Sequence, residues 1–140
     1  MFALTGLYQP SVTAKLLQAD DSGLLIDIGA NFGYFAALWL LKEPNEVLAI
    51  EPIRENYDLL RANLEGFKDR ARTLMCCVGE RSGEVVMSCD PEYPMLARVD
   101  PNDENGQRIE MRTLSNICRR QAIALWKCSN ATLKDTTSES

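Results

Sequence analysis

The stretch LLIDIGANFGYF, residues 24–35, constrains the fold of this chain more than any other. Leu24 to Ile28 is a near-continuous apolar run, the pattern of a central parallel strand covered on both faces. Gly29, Ala30, Asn31, Phe32 and Gly33 interrupt it, and from Tyr34 to Lys42 the pattern is that of a buried helix ended by Pro44 and Asn45. A glycine inside a regular element costs about 0.5–1 kcal/mol, so two of them at one junction mark a place where the chain has to turn sharply. Strand, glycine turn and helix form the opening half of a βαβ unit.

The segments that follow continue the alternation. Glu46 to Glu51 (EVLAIE) reads as a second strand, and Pro52 opens another helix. In that helix Ile53, Tyr57, Leu60 and Leu64 recur at i, i+4, i+7 and i+11 as one apolar stripe, with Gly66 at its C-terminal side. Leu74 to Val78 (LMCCV) reads as a third strand. Strands alternating with helices imply parallel strands with right-handed crossovers, hence a doubly wound, mainly parallel α/β sheet. Upstream, Ser11 to Gln18 reads as a short helix capped by Ser11, and residues 20–23 as a turn. Downstream the rhythm changes. Glu84 to Ser88 and Ile109 to Arg112 read as short strands on either side of a long loop, Asp90 to Gln107, rich in Pro, Asp and Asn. Thr113 to Arg120 reads as a short helix, Ile123 to Cys128 as a last strand, and Ser129 to Ser140 as a polar, disordered tail. The expected organisation is a helical lead-in over 1–23, a ligand-binding domain over 24–128 and a tail over 129–140.

The glycine turn has a chemical reading. Gly29 permits a tight turn at positive φ, and Gly33, lacking a Cβ, lets the helix sit close to the strand and a ligand approach the backbone. The helix N-terminus then favours an anion, and the crevice at the carboxyl ends of such strands is where ligands bind. About 20 residues further on, where the second strand ends, Glu51 is placed to accept hydrogen bonds from a ribose diol. Together these features describe a nucleoside site; separately each has a plain structural explanation, a shaped turn and a strand-end charge. The turn reads G-x-N-x-G, with Asn31 where a dinucleotide fingerprint has its middle glycine, and it lacks the lysine of a P-loop. S-adenosylmethionine has no phosphate and suits such a turn: its amino-acid end can meet the turn and its ribose can meet Glu51.

Composition removes other classes. A net charge of −5, from 15 Lys and Arg against 20 Asp and Glu, does not favour nucleic acid or an anionic membrane as a partner. The 5 cysteines show no C-x-x-C spacing and there is no histidine, so neither a Cys/His zinc site nor a histidine base is expected. Met1 to Ala14 has no charged, apolar leader pattern, and the longest apolar run, Tyr34 to Leu41, is too short to span a bilayer. The expected setting is cytoplasmic and reducing, with the cysteines acting as small core hydrophobes.

LLIDIGANFGYFA, VLAIEPIRENYDLLRANL and CCVGERSGEVVM resemble successive motifs of the FkbM-type S-adenosylmethionine-dependent methyltransferases, over Leu24 to about Leu114. D-x-G-A-N-x-G-Y, then A-x-E-P, then a helix ending in N-L, is characteristic of that group. The resemblance implies a Rossmann-like sheet of the class I methyltransferase type. It implies S-adenosylmethionine as cofactor and methyl transfer to a hydroxyl of a small molecule or sugar. On it, Asp27, Gly29, Asn31 and Gly33 line the amino-acid end of the cofactor, Glu51 binds the ribose hydroxyls, and the segment around Val78 lies near the adenine. Ala30, Tyr34 and Pro52 complete the cofactor-binding set, and Asp27 acts through water, by orienting the loop or by capping the turn.

The resemblance departs at the end. Thr113-Leu114-Ser115 stands where the family reads T-L-D. Ile123 to Ser129 is the candidate for its K-I-D-x-E-G strand, with Lys127 in the lysine's place, Ser129 in the aspartate's, and the later acid and glycine missing. The sheet is therefore expected to be incomplete in its C-terminal half, with an open edge beside the first strand and pairing into a homodimer as one consequence. No catalytic base is assigned; Asp90, Glu92 and Tyr93 are loop candidates. Three readings stand: an O-methyltransferase, a truncated and inactive cofactor-binding relative, and a nicotinamide-dependent oxidoreductase fragment, which Asn31 disfavours.

Overall fold

The computed structural model of the protein describes residues 14–16, 18, 23–93 and 97–123, and the backbone of 132–135. Of the helix expected over 11–18, the described residues are helical, and Leu16 is buried. Three strands follow the expected order in part: β1 (Leu24–Ile28), β2 (Glu46–Ile50) and β3 (Ala71–Leu74). They pair in parallel, with Ile26 opposite Leu48 and Leu48 opposite Arg72. The intervening helices are α1 (Tyr34–Leu40) and α2 (Arg54–Leu64).

Side chains alternate across the sheet, because the strand period is two. Leu25, Val47 and Ala49 pack on one face against Phe35, Ala36, Trp39 and Leu40 of α1 and Leu60 and Leu64 of α2. Ile26, Ile28, Leu48 and Ile50 pack on the other, against Cys76 and against Ile117 and Cys118 of a third helix, α3 (Leu114–Arg120). Helices on both faces explain why β1 and β2 read as unbroken apolar runs rather than alternating ones. α3 carries its own cap: the Thr113 hydroxyl accepts the Asn116 N–H at 3.2 Å.

The third strand differs from expectation. It spans Ala71–Leu74, and the chain then leaves the sheet, so that Cys77–Val78 becomes β4 of a second sheet. In the first of these, Arg72 is exposed and donates to the Gln121 carbonyl at 2.8 Å, a polar pattern an apolar-run search passes over. The second sheet is mixed, in the order β4-β7-β5-β6, with β5 (Gly83–Ser88), β6 (Arg98–Val99) and β7 (Gln107–Arg112). β7 runs parallel to β4 and antiparallel to β5. The mainly parallel expectation therefore holds for one of the two sheets. β6 lies inside the segment expected to be loop throughout.

The stripe on α2 also resolves differently. Leu60 and Leu64 are buried under the first sheet, and Tyr57 packs beside them. Ile53 precedes the helix in an extended conformation, 1% exposed, and packs with Met87 and Ile109 of the second sheet. Pro52 thus lies two residues before the helix rather than opening it. Gly66 does not end the helix either: α2 runs into a 3-10 turn over Glu65–Arg70, and the positive φ, 54°, falls on Lys68.

The largest difference lies at the C-terminal end. The strand expected over 123–128 lies outside the described residues beyond Ile123. The backbone of Thr132–Asp135, expected to be part of a disordered tail, forms β8, parallel to β1, with Asp27 opposite Lys134. The first sheet has the order β3-β2-β1-β8. The edge expected to be open beside β1 is covered by β8, which removes the reason for expecting pairing of two copies there. No helix among the described residues is long and apolar enough to cross a membrane.

Ile53 buries its side chain against the second sheet, so Ile53→Ala is expected to cost about 2–5 kcal/mol of unfolding free energy. Leu59→Ala, on the exposed side of α2, is expected to stay within about 0.5 kcal/mol. Urea denaturation of both variants checks this; equal losses would contradict the placement of Ile53.

Candidate functional site

The turn between β1 and α1 is built from three residues in the left-handed region: Gly29 at φ 71°, Asn31 at 56° and Gly33 at 95°. The Gly29 and Ala30 N–H groups both donate to the Ile50 carbonyl, at 2.9 and 3.0 Å, and Gly33 N–H donates to the Ala30 carbonyl at 2.9 Å. The turn is thus sewn to the end of β2. These amides serve the fold; the anion was expected at the N-terminus of α1, which at 7 residues is a short element. Gly33 has a different neighbour from the expected one. A Cβ there would lie 2.8 Å from Leu60 Cδ1, so the missing side chain lets α2, not the strand, approach closely.

Glu51 closes the structure from the other side. It is 4% exposed, and its carboxylate accepts the Asn31 N–H at 2.7 Å through Oε2 and the Ile53 N–H at 3.1 Å through Oε1. The Asn56 side chain donates a further bond. Burial pushes its pKa above the ordinary carboxylate value. The bonds from Ile53, Asn31 and Asn56 oppose that rise, and the charge of Asp27 adds to it. Asp27, at 0% exposure, lies on β1 opposite Ala49. The side-chain oxygen of Asn31 is buried without a hydrogen-bond partner.

Gly29, Ala30, Asn31, Gly33 and Glu51 are therefore brought together, with Pro52 half-buried next to Glu51. Tyr34 opens α1 and packs edge-on against Phe35, with ring centroids 5.2 Å apart. Val78 packs on the cluster containing Ile28 and Ile50, the last residues of β1 and β2, from the α3 face. Of the loop candidates, Asp90 uses its carboxylate to accept Glu92 N–H at 2.8 Å and its carbonyl to accept Tyr93 N–H at 3.0 Å, an Asx turn. Burial raises the thiol pKa of Cys76 to about 11 and pushes those of Cys77 and Cys89 up, so none is set up as a thiolate nucleophile. A groove of about 390 Å³ beside α2 and β3, lined by Asp58, Arg61, Lys68 and Thr73 among others, includes none of the turn residues. Among the described residues no cluster of His, Cys, Asp or Glu suits a metal ion.

Two residues of this site were given no role from the sequence, although Asn63 belongs to the N-L that ends the helix. Asn56 bonds Glu51, and Asn63 donates through Nδ2 to the Phe32 carbonyl at 2.8 Å. The signal was their spacing: seven residues apart, they share one face of α2, beside the apolar stripe.

A solved structure similar to this chain is the crystal structure of Methyltransferase FkbM from Methylobacillus flagellatus KT, with a TM-score of 0.52 and 25% sequence identity. The match covers 79% of this chain and 26% of that one, so the chain spans about a quarter of that protein's length. The fold is methyltransferase-like. No family model matches the chain, and no curated protein matches it by sequence.

The buried carboxylate has a pH signature. Because the folded state holds its proton to a higher pH than the unfolded chain, Glu51 contributes stability that is full below its ordinary value of 4.5 and lost as the pH rises through the raised folded value. The stability of the natural chain relative to Glu51→Gln is therefore expected to fall as the pH rises above 4.5. Denaturation midpoints of the two proteins across that range measure it, and parallel curves would contradict it.

Proposed function

We propose that this chain carries the nucleoside-binding part of an S-adenosylmethionine-dependent methyltransferase of Rossmann-like, class I type, acting on a hydroxyl of a small molecule or sugar. The observation that supports this most is the bond between Asn31 N–H and Glu51, which joins the glycine turn of β1 to a buried acid at the end of β2. It lies in a fold that matches a methyltransferase over 79% of the chain.

The residues fit such a cofactor. Asn31, Ile53 and Asn56 use three of the about four lone-pair sites of the Glu51 carboxylate, and the remaining one can accept a ribose hydroxyl. The buried Asn31 side-chain oxygen lacks a donor, and the ammonium group of the amino-acid end is one. Gly29, Ala30, Gly33, Asp27 and Tyr34 would line that end of the cofactor. Pro52 flanks the ribose, and Val78 supplies apolar surface for the adenine. S-adenosylmethionine, when bound, supplies a methyl group activated by a sulfonium. The part of this chain in the reaction is to hold and orient, which is where most of the rate of a displacement at carbon originates.

One observation favours a second reading, a relative that keeps the frame without binding: both Glu51 oxygens already accept main-chain N–H groups, and the residue is 4% exposed. Calorimetric titration with S-adenosylhomocysteine separates the two. Saturable binding is expected for the natural chain, weakened at least about tenfold by Glu51→Ala and by Gly29→Val, the latter because Gly29 lies at φ 71°. A folded natural chain that takes up no S-adenosylhomocysteine would favour the second reading. NADH is expected to give no fluorescence response.

A further inference from the structure

We infer that Asn63 is a positioning residue for the cofactor turn, holding the Phe32–Gly33 peptide plane from α2. This rests on the nucleoside-site reading above and extends it to a residue outside the turn. The peptide between Phe32 and Gly33 lies between two residues at positive φ, Asn31 at 56° and Gly33 at 95°, a conformation with little intrinsic preference of its own. Both polar ends of that plane are held. Its carbonyl accepts Asn63 Nδ2 at 2.8 Å, and its N–H donates to the Ala30 carbonyl at 2.9 Å.

The bond from Asn63 is the one that crosses to another element, over 31 residues of sequence. Leu64, the next residue, packs 3.6 Å from where a Gly33 Cβ would stand. Adjacent residues of α2 thus touch adjacent residues of the turn, one by hydrogen bond and one by packing. Two helical turns earlier on the same face, Asn56 donates to Glu51. Helix α2 therefore fixes both the acid and the turn that donates to it, and sets the distance between them. Asn63 itself is exposed and bears little of the core, so its effect falls on the geometry of the turn rather than on the fold.

The test uses the full chain. Asn63→Ala and Asn63→Asp remove the donor; alanine is the better helix former, and aspartate keeps the shape. Both are expected to weaken S-adenosylhomocysteine binding about three- to tenfold, to leave the melting temperature within about 2 °C, and to speed hydrogen exchange of the Gly33 amide. Asn63→Gln, which keeps a donor on a longer stem, is expected to recover part of the affinity. Affinity and Gly33 exchange unchanged in Asn63→Ala would overturn the inference, as would a loss of affinity that only follows a falling melting temperature. Should the natural chain bind no S-adenosylhomocysteine, the function reading fails by itself. Gly33 exchange without ligand then decides: acceleration in Asn63→Ala supports the hold on the peptide, and equal exchange overturns it.

Discussion

The buried carboxylate of Glu51 is the contact on which this structure turns. A charged group at 4% exposure is expensive to bury unless its oxygens find donors. Those donors come from three places: the turn after β1 through Asn31 N–H, the entry to α2 through Ile53 N–H, and the body of α2 through Asn56. One side chain thereby ties the end of β2 to the element before it and the element after it. The same bonds hold the carboxylate in place at the carboxyl end of the sheet, where a parallel α/β fold receives its ligands.

The second sheet braces that corner. Ile53 buries its side chain against Met87 and Ile109, and the Gln107 side chain at the start of β7 accepts Arg54 N–H at 3.4 Å and donates to Glu55 at 2.9 Å. The first residues of α2 are thus gripped on one side by the acid and on the other by the mixed sheet. On the far side of the turn, the missing Cβ of Gly33 brings α2 against α1. α2 is consequently the element whose placement sets the site, though it lies between two strands of the sheet in sequence and supplies no residue expected to touch a cofactor.

The turn's amides are spent on the fold, on the Ile50 carbonyl and on Glu51. What the corner leaves unused is acceptor capacity, the buried Asn31 oxygen and the remaining lone pair of Glu51. Such acceptors are matched to hydrogen-bond donors such as ammonium or hydroxyl groups, and a pyrophosphate supplies none.

Much of this was legible in the residues. The apolar runs at 24–28 and 46–50, the glycines at 29 and 33 and the acid at 51 determined two neighbouring parallel strands, the turn and the nearness of Glu51 to it, because strand period, positive φ and crossover handedness are local rules. What the residues did not determine was settled by partners distant in sequence. Ile53 belongs to the second sheet because Met87 and Ile109 stand there. β3 ends at Leu74 because the following residues pair with β7. Asn63 joins the site because α2 docks over the turn. The polar Thr132–Asp135 becomes a strand because β1 offers it an unfilled row of backbone donors and acceptors, a demand that comes from the sheet and leaves no apolar pattern in the strand that meets it.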